Sequence, residues 1–259
     1  MSIDRREFLK KMGIGTLLGL GCLELDLFEV FKGEPEASTI SNVSLKAKRW
    51  GMVIDMDKFG SEADYKKCIE ACNRAHNIPV MENKKHEIKW IWTETYEHAF
   101  PSKHDKYISE RLRDKPFLLL CNHCDNPPCV RVCPTQATFK RPDGIVMMDM
   151  HRCIGCRFCM AACPFGARSF NFVKPRPFIK EENPDYPTRT KGVVEKCTFC
   201  TERLARGLKP ACVEASNGAI VFGDLNDPNS EIREILRREY TIRRKPELGT
   251  MPSVYYVIR

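Results

Sequence analysis

Cysteines stand at positions 153, 156, 159 and 163, and Pro164 follows the last of them. A second group runs Cys121, Cys124, Cys129 and Cys133, again closed by a proline, Pro134. Thiolates are soft ligands that suit zinc and iron. The later group has the C-x2-C-x2-C-x3-C-P spacing that holds cubane [4Fe–4S] clusters. A cubane needs four thiolates at the corners of a small tetrahedron, and a tight loop offers three of them from neighbouring residues. The fourth cysteine of the motif opens a helix that points toward another cluster, so two such motifs exchange their last ligands. The proline adds no backbone donor and turns the chain away. Zinc is satisfied by two CxxC pairs and has no use for the third cysteine or the Cys-Pro ending. Disulfides and redox-active CxxC thiols are the other readings of so many cysteines. The repetition of two full motifs favours clusters over all three.

The sequence around these cysteines is duplicated. Cys133-Pro134-Thr135-Gln136-Ala137-Thr138-Phe139 parallels Cys163-Pro164-Phe165-Gly166-Ala167-Arg168-Ser169-Phe170. Gly144–Asp149 reads as a short strand entering the second loop, Trp50–Asp57 has the same form, and Ala219–Phe222 reads as a strand after the last cysteines. The unit is strand, cysteine loop, short helix, strand, and it occurs as a pair. The expected architecture is α+β: two bacterial ferredoxin-like modules with swapped cluster ligands, long insertions and an N-terminal twin-arginine signal. That signal is read from Asp4-Arg5-Arg6-Glu7-Phe8-Leu9-Lys10 before a short, glycine-interrupted apolar run, Met12–Leu23. The run is too short to cross a bilayer. An amphipathic N-terminal helix is the bland alternative, and Cys22 is a weak lipidation candidate. Twin-arginine export moves folded proteins, so clusters loaded inside the cell survive the passage.

The 259 residues suffice for one large or two small domains, and 14 of them are cysteines. The net charge of +8 fits an acidic partner, an anionic membrane surface or a plain solvated basic face. The sequence holds no glycine-rich phosphate loop, no nucleophile–base motif and no nucleic-acid module. His123 and His151 lie beside candidate ligands, where a histidine either tunes a cluster by hydrogen bonding to sulfur or simply sits at the surface. Trp90, Trp92, Tyr96 and Phe100 read as packing for a long insertion rather than as a docking face. Arg237, Arg238, Arg243 and Arg244 read as a solvated face rather than as a contact for haem proteins or lipid headgroups.

From residue 48 to 225 the chain resembles the polyferredoxin-type iron–sulfur subunits of polysulfide, nitrite and dimethyl-sulfoxide reductase complexes. A narrower resemblance is to the exported DsrO-type subunits of sulfur-metabolising microbes. It rests on Cys72-Asn73-Arg74-Ala75-His76-Asn77-Ile78-Pro79, His86–Trp92 and Arg243–Thr250. The family carries four cysteine motifs and four cubanes, and this chain departs from that pattern. Phe59 stands where the first cysteine of motif one belongs, the second is missing, and only Cys68 and Cys72 remain. In motif four the last position falls at or beside Ser216. The resemblance therefore implies three [4Fe–4S] clusters. The first is held by Cys121, Cys124, Cys129 and Cys163, the second by Cys153, Cys156, Cys159 and Cys133, and the third by Cys197, Cys200, Cys212 and Cys72. Cys68 is left at a dead site. The chain would have a signal or anchor segment (1–36), the cluster region (48–225) and a C-terminal extension (226–259). It would be an electron-transfer subunit rather than an enzyme, with no substrate of its own and no nucleic acid. Its partners would be a quinone-reactive integral membrane subunit and a multihaem cytochrome c, on the outer face of the membrane.

Overall fold

Trp50–Asp55 (β1) is buried along its whole length, in a computed structural model that describes residues 44–259. A strand covered on both faces needs such a nearly continuous apolar run. The expectations that rest on residues 1–36, with Arg5, Arg6 and Cys22, lie outside the described residues. The other strands are β2 (Ile91–Glu94), β3 (Phe117–Leu120), β4 (Thr138–Lys140), β5 (Val146–Met148), β6 (Ser169–Phe170), β7 (Val194–Glu195), β8 (Ile220–Asp224), β9 (Thr241–Ile242) and β10 (Val254–Val257). The helices are α1 (Glu62–Ala75), α2 (Tyr96–Ala99), α3 (Glu110–Arg113), α4 (Pro128–Arg131), α5 (Phe158–Ala161), α6 (Thr201–Ala205), α7 (Ala211–Ala215) and α8 (Glu231–Arg238). The fold is mixed α and β.

One four-stranded sheet has the order β8-β1-β10-β9. β1 runs antiparallel to β8 and parallel to β10, with Met52 opposite both Phe222 and Val254. Its side chains alternate between two cores. Val53 meets Val221, Ile232 of α8 and Val257 on one face. Met52 and Ile54 join the main core on the other. The strand expected at Trp50–Asp57 stops at Asp55, whose carboxylate accepts the amide of Asp57 and bends Met56–Lys58 into a 3-10 turn. The expected strands at Gly144–Asp149 and Ala219–Phe222 appear as β5 and β8. The C-terminal extension is woven into the molecule, because β10 fills the edge of β1 and the Tyr256 hydroxyl donates to Leu118 O at 3.0 Å. Among the described residues no helix is long and apolar enough to cross a membrane.

Three hairpins, β2-β3, β4-β5 and β6-β7, hold the cysteine loops apart. The insertion before Cys121 supplies β2, α2 and α3, and its aromatic residues pack as expected. Trp90, Tyr96 and Phe100 are buried, and Phe100 stands edge-on to both Phe117 and Tyr256. In α1 the Ser61 amide donates to the Asp64 carboxylate at the first turn, and Tyr65, Cys68 and Cys72 share the buried face by their three- and four-residue spacing.

The duplication read in the sequence is also a duplication of backbone geometry. The residue before the second cysteine of each loop takes a left-handed conformation: His123, Gly155 and Phe199. So does the third residue after the closing cysteine, Gln136 after Cys133 and Gly166 after Cys163. A left-handed residue reverses the chain within one step, which turns consecutive cysteines of a short loop toward a common centre.

Candidate metal centres

β3 delivers Cys121 to the first loop, and the short helix α4 carries Cys129. Cys121, Cys124, Cys129 and Cys163 line one cavity with Phe165 and Arg168. Burial pushes the Cys124 thiol up to about 12, and the neighbouring Cys121 thiol adds to it. Cys163 is also raised, by burial first and by Cys121 next. A second cavity is lined by Cys133, Cys153, Cys156 and Cys159. The closing cysteine of each motif therefore stands with the first three of the other. Cys133 behaves differently from its neighbours. Burial opposes its ionisation, but hydrogen bonds from Thr138 and Thr135 outweigh that and hold the thiol below its ordinary value. Cys156 is exposed, whereas Cys159 beside it is buried.

The third group joins parts of the chain far apart in sequence. Cys72 comes from α1, Cys197 and Cys200 from the loop before α6, and Cys212 from α7, which packs against α1. All four are buried. Burial, then Cys200, Cys197 and Cys212, raise the Cys72 thiol well above its usual value. Beside it lies His76, 1% exposed, with Nδ1 3.6 Å from Cys72 Sγ and 3.0 Å from Cys72 O. Its Nε2 meets Glu202 Oε1 at 2.9 Å. Trp90 and Tyr186 enclose the ring. His76, Cys200 and Glu202 offer ligand atoms within 4.8 Å of one another, but the hydrogen bond between the first and third already satisfies both.

Cys68, one helical turn before Cys72, has less company. It is fully buried and its thiol is pushed up to about 11 by burial and then by Asp64; of the third group it adjoins Cys212, whose thiol it helps to raise. Phe59 stacks on Tyr65 with ring centroids 4.4 Å apart, so the first missing cysteine position is filled by an aromatic pair. Asp57, next to that corner, is tied to Lys115 at 2.8 Å from the end of the insertion. Ser216 does backbone work: its hydroxyl donates to Val213 O at 2.7 Å and accepts the Ile220 amide at 3.0 Å.

The surroundings fit anionic, thiolate-bound clusters. All thirteen described cysteines are free thiols. Two residues lining the first cavity, Asn122 and Arg168, carry buried polar side-chain atoms with no protein partner. Three buried cations, Arg168, Lys196 and Arg244, lie in the cysteine-bearing interior, and among the described residues none has a carboxylate at ion-pair distance. Arg189 is the contrast, since it pairs with buried Glu195 at 2.8 Å. Uncompensated buried charge is costly by several kcal/mol, and a cubane with four thiolates is negatively charged.

Sequence reasoning placed Arg244 on a solvated face, and the structure corrects this. Arg244 is buried, donates to Ala99 O at 3.0 Å and lies over the Phe165 ring, while Lys245 donates to Pro164 O at 2.6 Å. The tail thus clamps the Cys163-Pro164 turn. Arg237 and Arg238 are exposed as expected, as is His151. His123 is buried, accepts the Val146 amide on Nδ1 at 3.1 Å and stacks on Phe199 at 3.6 Å. Burial, then Lys196 and Arg168, hold its ring neutral, well below the usual histidine value. His76, Arg168 and Lys196 were missed as site residues, although Lys196 directly precedes Cys197.

Residues 116–175 match the 4Fe-4S dicluster domain family. Over 98% of its length the chain is 45% identical to the Hdr-like menaquinol oxidoreductase iron-sulfur subunit 1 of Archaeoglobus fulgidus, covering 97% of that protein. It is 38% identical to the menaquinone reductase iron-sulfur cluster-binding subunit of Nitratidesulfovibrio vulgaris, over 82% of this chain and 89% of the relative. With a tetrathionate reductase subunit of Salmonella typhimurium it shares 36% identity over 99% of this chain and 89% of the relative. The chain belongs to the iron–sulfur electron-transfer subunits of menaquinol oxidoreductase and related reductase complexes.

Proposed function

We propose that the chain carries three [4Fe–4S] clusters and relays electrons along them. The first is held by Cys121, Cys124, Cys129 and Cys163, the second by Cys153, Cys156, Cys159 and Cys133, and the third by Cys197, Cys200, Cys212 and Cys72. The observation that carries this reading is the sorting of twelve described cysteines into three groups of four, with Cys68 beside Cys212 alone and absent from the neighbours of Cys72. Bound cubanes supply one-electron redox chemistry. The protein's own part is to fix the order and the burial of the sites. Cys129 of the first group neighbours Cys159 of the second, and Cys121 neighbours Cys197 of the third, which puts the first group in the middle. At the second group the exposed Cys156 lies among Ile154 and Phe158, which are 67% and 58% exposed, so that end of the relay opens at the surface.

The printed names of the relatives from Archaeoglobus and Nitratidesulfovibrio speak of menaquinol and menaquinone. They support a quinone-reactive integral membrane subunit as one partner. The DsrO-type motifs support a multihaem cytochrome c as the other, in a respiratory complex of sulfur metabolism. Arg5-Arg6 supports export by the twin-arginine route to the outer face of the membrane. The likeness to a tetrathionate reductase subunit favours a second reading, in which the same relay serves a molybdopterin-type catalytic subunit. Affinity purification from gently solubilised membranes separates the two. A quinone-binding membrane protein with a c-type haem band supports the first, and a molybdenum-containing subunit selects the second. The chain emerging alone from such extracts contradicts both.

A further inference from the structure

Arg168 and Thr138 hold the same place in the two halves of the duplication, each five residues after the closing cysteine of its motif. The fold brings these two positions face to face. Arg168 Nη1 donates to Thr138 Oγ1 at 3.1 Å, and the Thr138 hydroxyl donates onward to Met148 Sδ at 3.1 Å. The Thr138 amide in turn reaches Cys133 Sγ at 3.5 Å. The guanidinium therefore lies on the seam between the first and second groups of cysteines. It lines the first cavity together with Cys121, Cys124, Cys129 and Cys163, and its Nη1 lies 3.7 Å from Met148 Sδ, which lines the second cavity with Cys133, Cys153, Cys156 and Cys159. Cys129 and Cys159 are the thiols that most favour its charge. These two cysteines are again equivalent, the third of their respective motifs.

Arg168 is 5% exposed, and its Nη2 has no protein partner. A guanidinium has five donors and no acceptor, and burying it without a counter-charge is strongly unfavourable. Arg189, another buried arginine, meets this need with Glu195. Around Arg168 the anionic groups on offer are thiols of both groups, Cys129, Cys159 and Cys121. We propose that Arg168 is a cation shared by the first two clusters, which donates to a cysteine ligand of each and raises both reduction potentials together. The proposal rests on the ligand assignment given above. Donation to a thiolate ligand and a nearby positive charge both favour the more negative, reduced cluster, so losing them lowers the potential. The thiols that act on Arg168 are Cys129, Cys159 and Cys121, and the third group adjoins the first through Cys121 and Cys197.

The test is a redox titration of the anaerobically purified full chain, followed by electron paramagnetic resonance, with iron content measured on every sample. In Arg168→Gln the potentials of the first and second clusters are both expected to fall, while that of the third stays in place. Arg168→Lys keeps the charge but not the fork, and both potentials are expected at intermediate values. Should Arg168→Gln fail to load iron, Thr138→Val is the second probe, because it removes only the hydroxyl that orients the guanidinium. There a smaller fall in the same two potentials is expected. The third cluster is identified by the signal lost in Cys72→Ser. A shift confined to one cluster, an equal shift in all three, or no shift in any loaded variant overturns the proposal. If Cys72→Ser loses no iron, the ligand assignment itself fails, whatever Arg168 does.

Discussion

Cys68 and Cys72 lie four positions apart on the same buried face of α1, yet their surroundings differ in kind. Cys72 faces three thiols and His76, whereas Cys68 has only Cys212 of that group nearby and adjoins the corner filled by Phe59 and Tyr65. Proximity along the helix predicts similar consequences for removing either thiol, and the geometry predicts opposite ones. Cys68→Ser is expected to leave iron content and cluster spectra unchanged, with a small loss of stability from placing a hydroxyl in an apolar site, about 1 to 3 kcal/mol. Cys72→Ser is expected to lose one cluster, about four iron atoms per chain. Iron analysis and electron paramagnetic resonance on the two variants check this, and loss of a cluster in Cys68→Ser would contradict the reading of motif one. The distinction was legible in the sequence, because ligand counting alone leaves Cys68 without companions. The buried cations were not. Nothing local separates Arg168 or Arg244 from the exposed Arg237, since their burial is decided by β4, by Phe165 and by the C-terminal tail meeting in space.

At the scale of the elements, the cysteine loops depend on left-handed residues at matching positions. In the first and third loops these are His123 and Phe199, which accept the strain of a positive φ and recover part of it by stacking on each other. Gly155 has φ +72° and lies against the carbonyl of Gly192, so a Cβ there meets backbone that cannot swing aside. Gly155→Ala is expected to cost about 1 to 3 kcal/mol and to selectively weaken the loop of Cys153, Cys156 and Cys159. Measured in the variant, iron is expected to fall at the second cluster first, while the third-cluster signal persists. Uniform loss of all signals would instead indicate global unfolding. β5 and β8 were readable as short apolar strands beside the motifs, because both ends of that pattern are local. The pairing of β10 with β1 was not, since it joins residues as far apart as Met52 and Val254 and leaves no periodic trace in either segment.

The described residues, 44–259, form a set of thiol groups held by a small sheet and three hairpins, with an insertion, β2 to α3, that closes the corner where a fourth group would stand. The chain's relatives are subunits of reductase complexes, and the net charge of +8 fits an acidic partner, an anionic membrane surface or a plain solvated basic face. If export depends on Arg5 and Arg6, the Arg5→Lys, Arg6→Lys double variant is expected to remain on the cytoplasmic side with its clusters loaded. Cell fractionation with iron analysis reads both outcomes, and export of the variant would contradict the signal assignment. The reading of the chain as a three-cluster relay is tested most directly by iron and acid-labile sulfide per chain, measured on the anaerobically purified protein. About twelve of each per wild-type chain is the predicted result, falling to about eight in Cys72→Ser. About sixteen in the wild type, or about eight in both proteins, would contradict it.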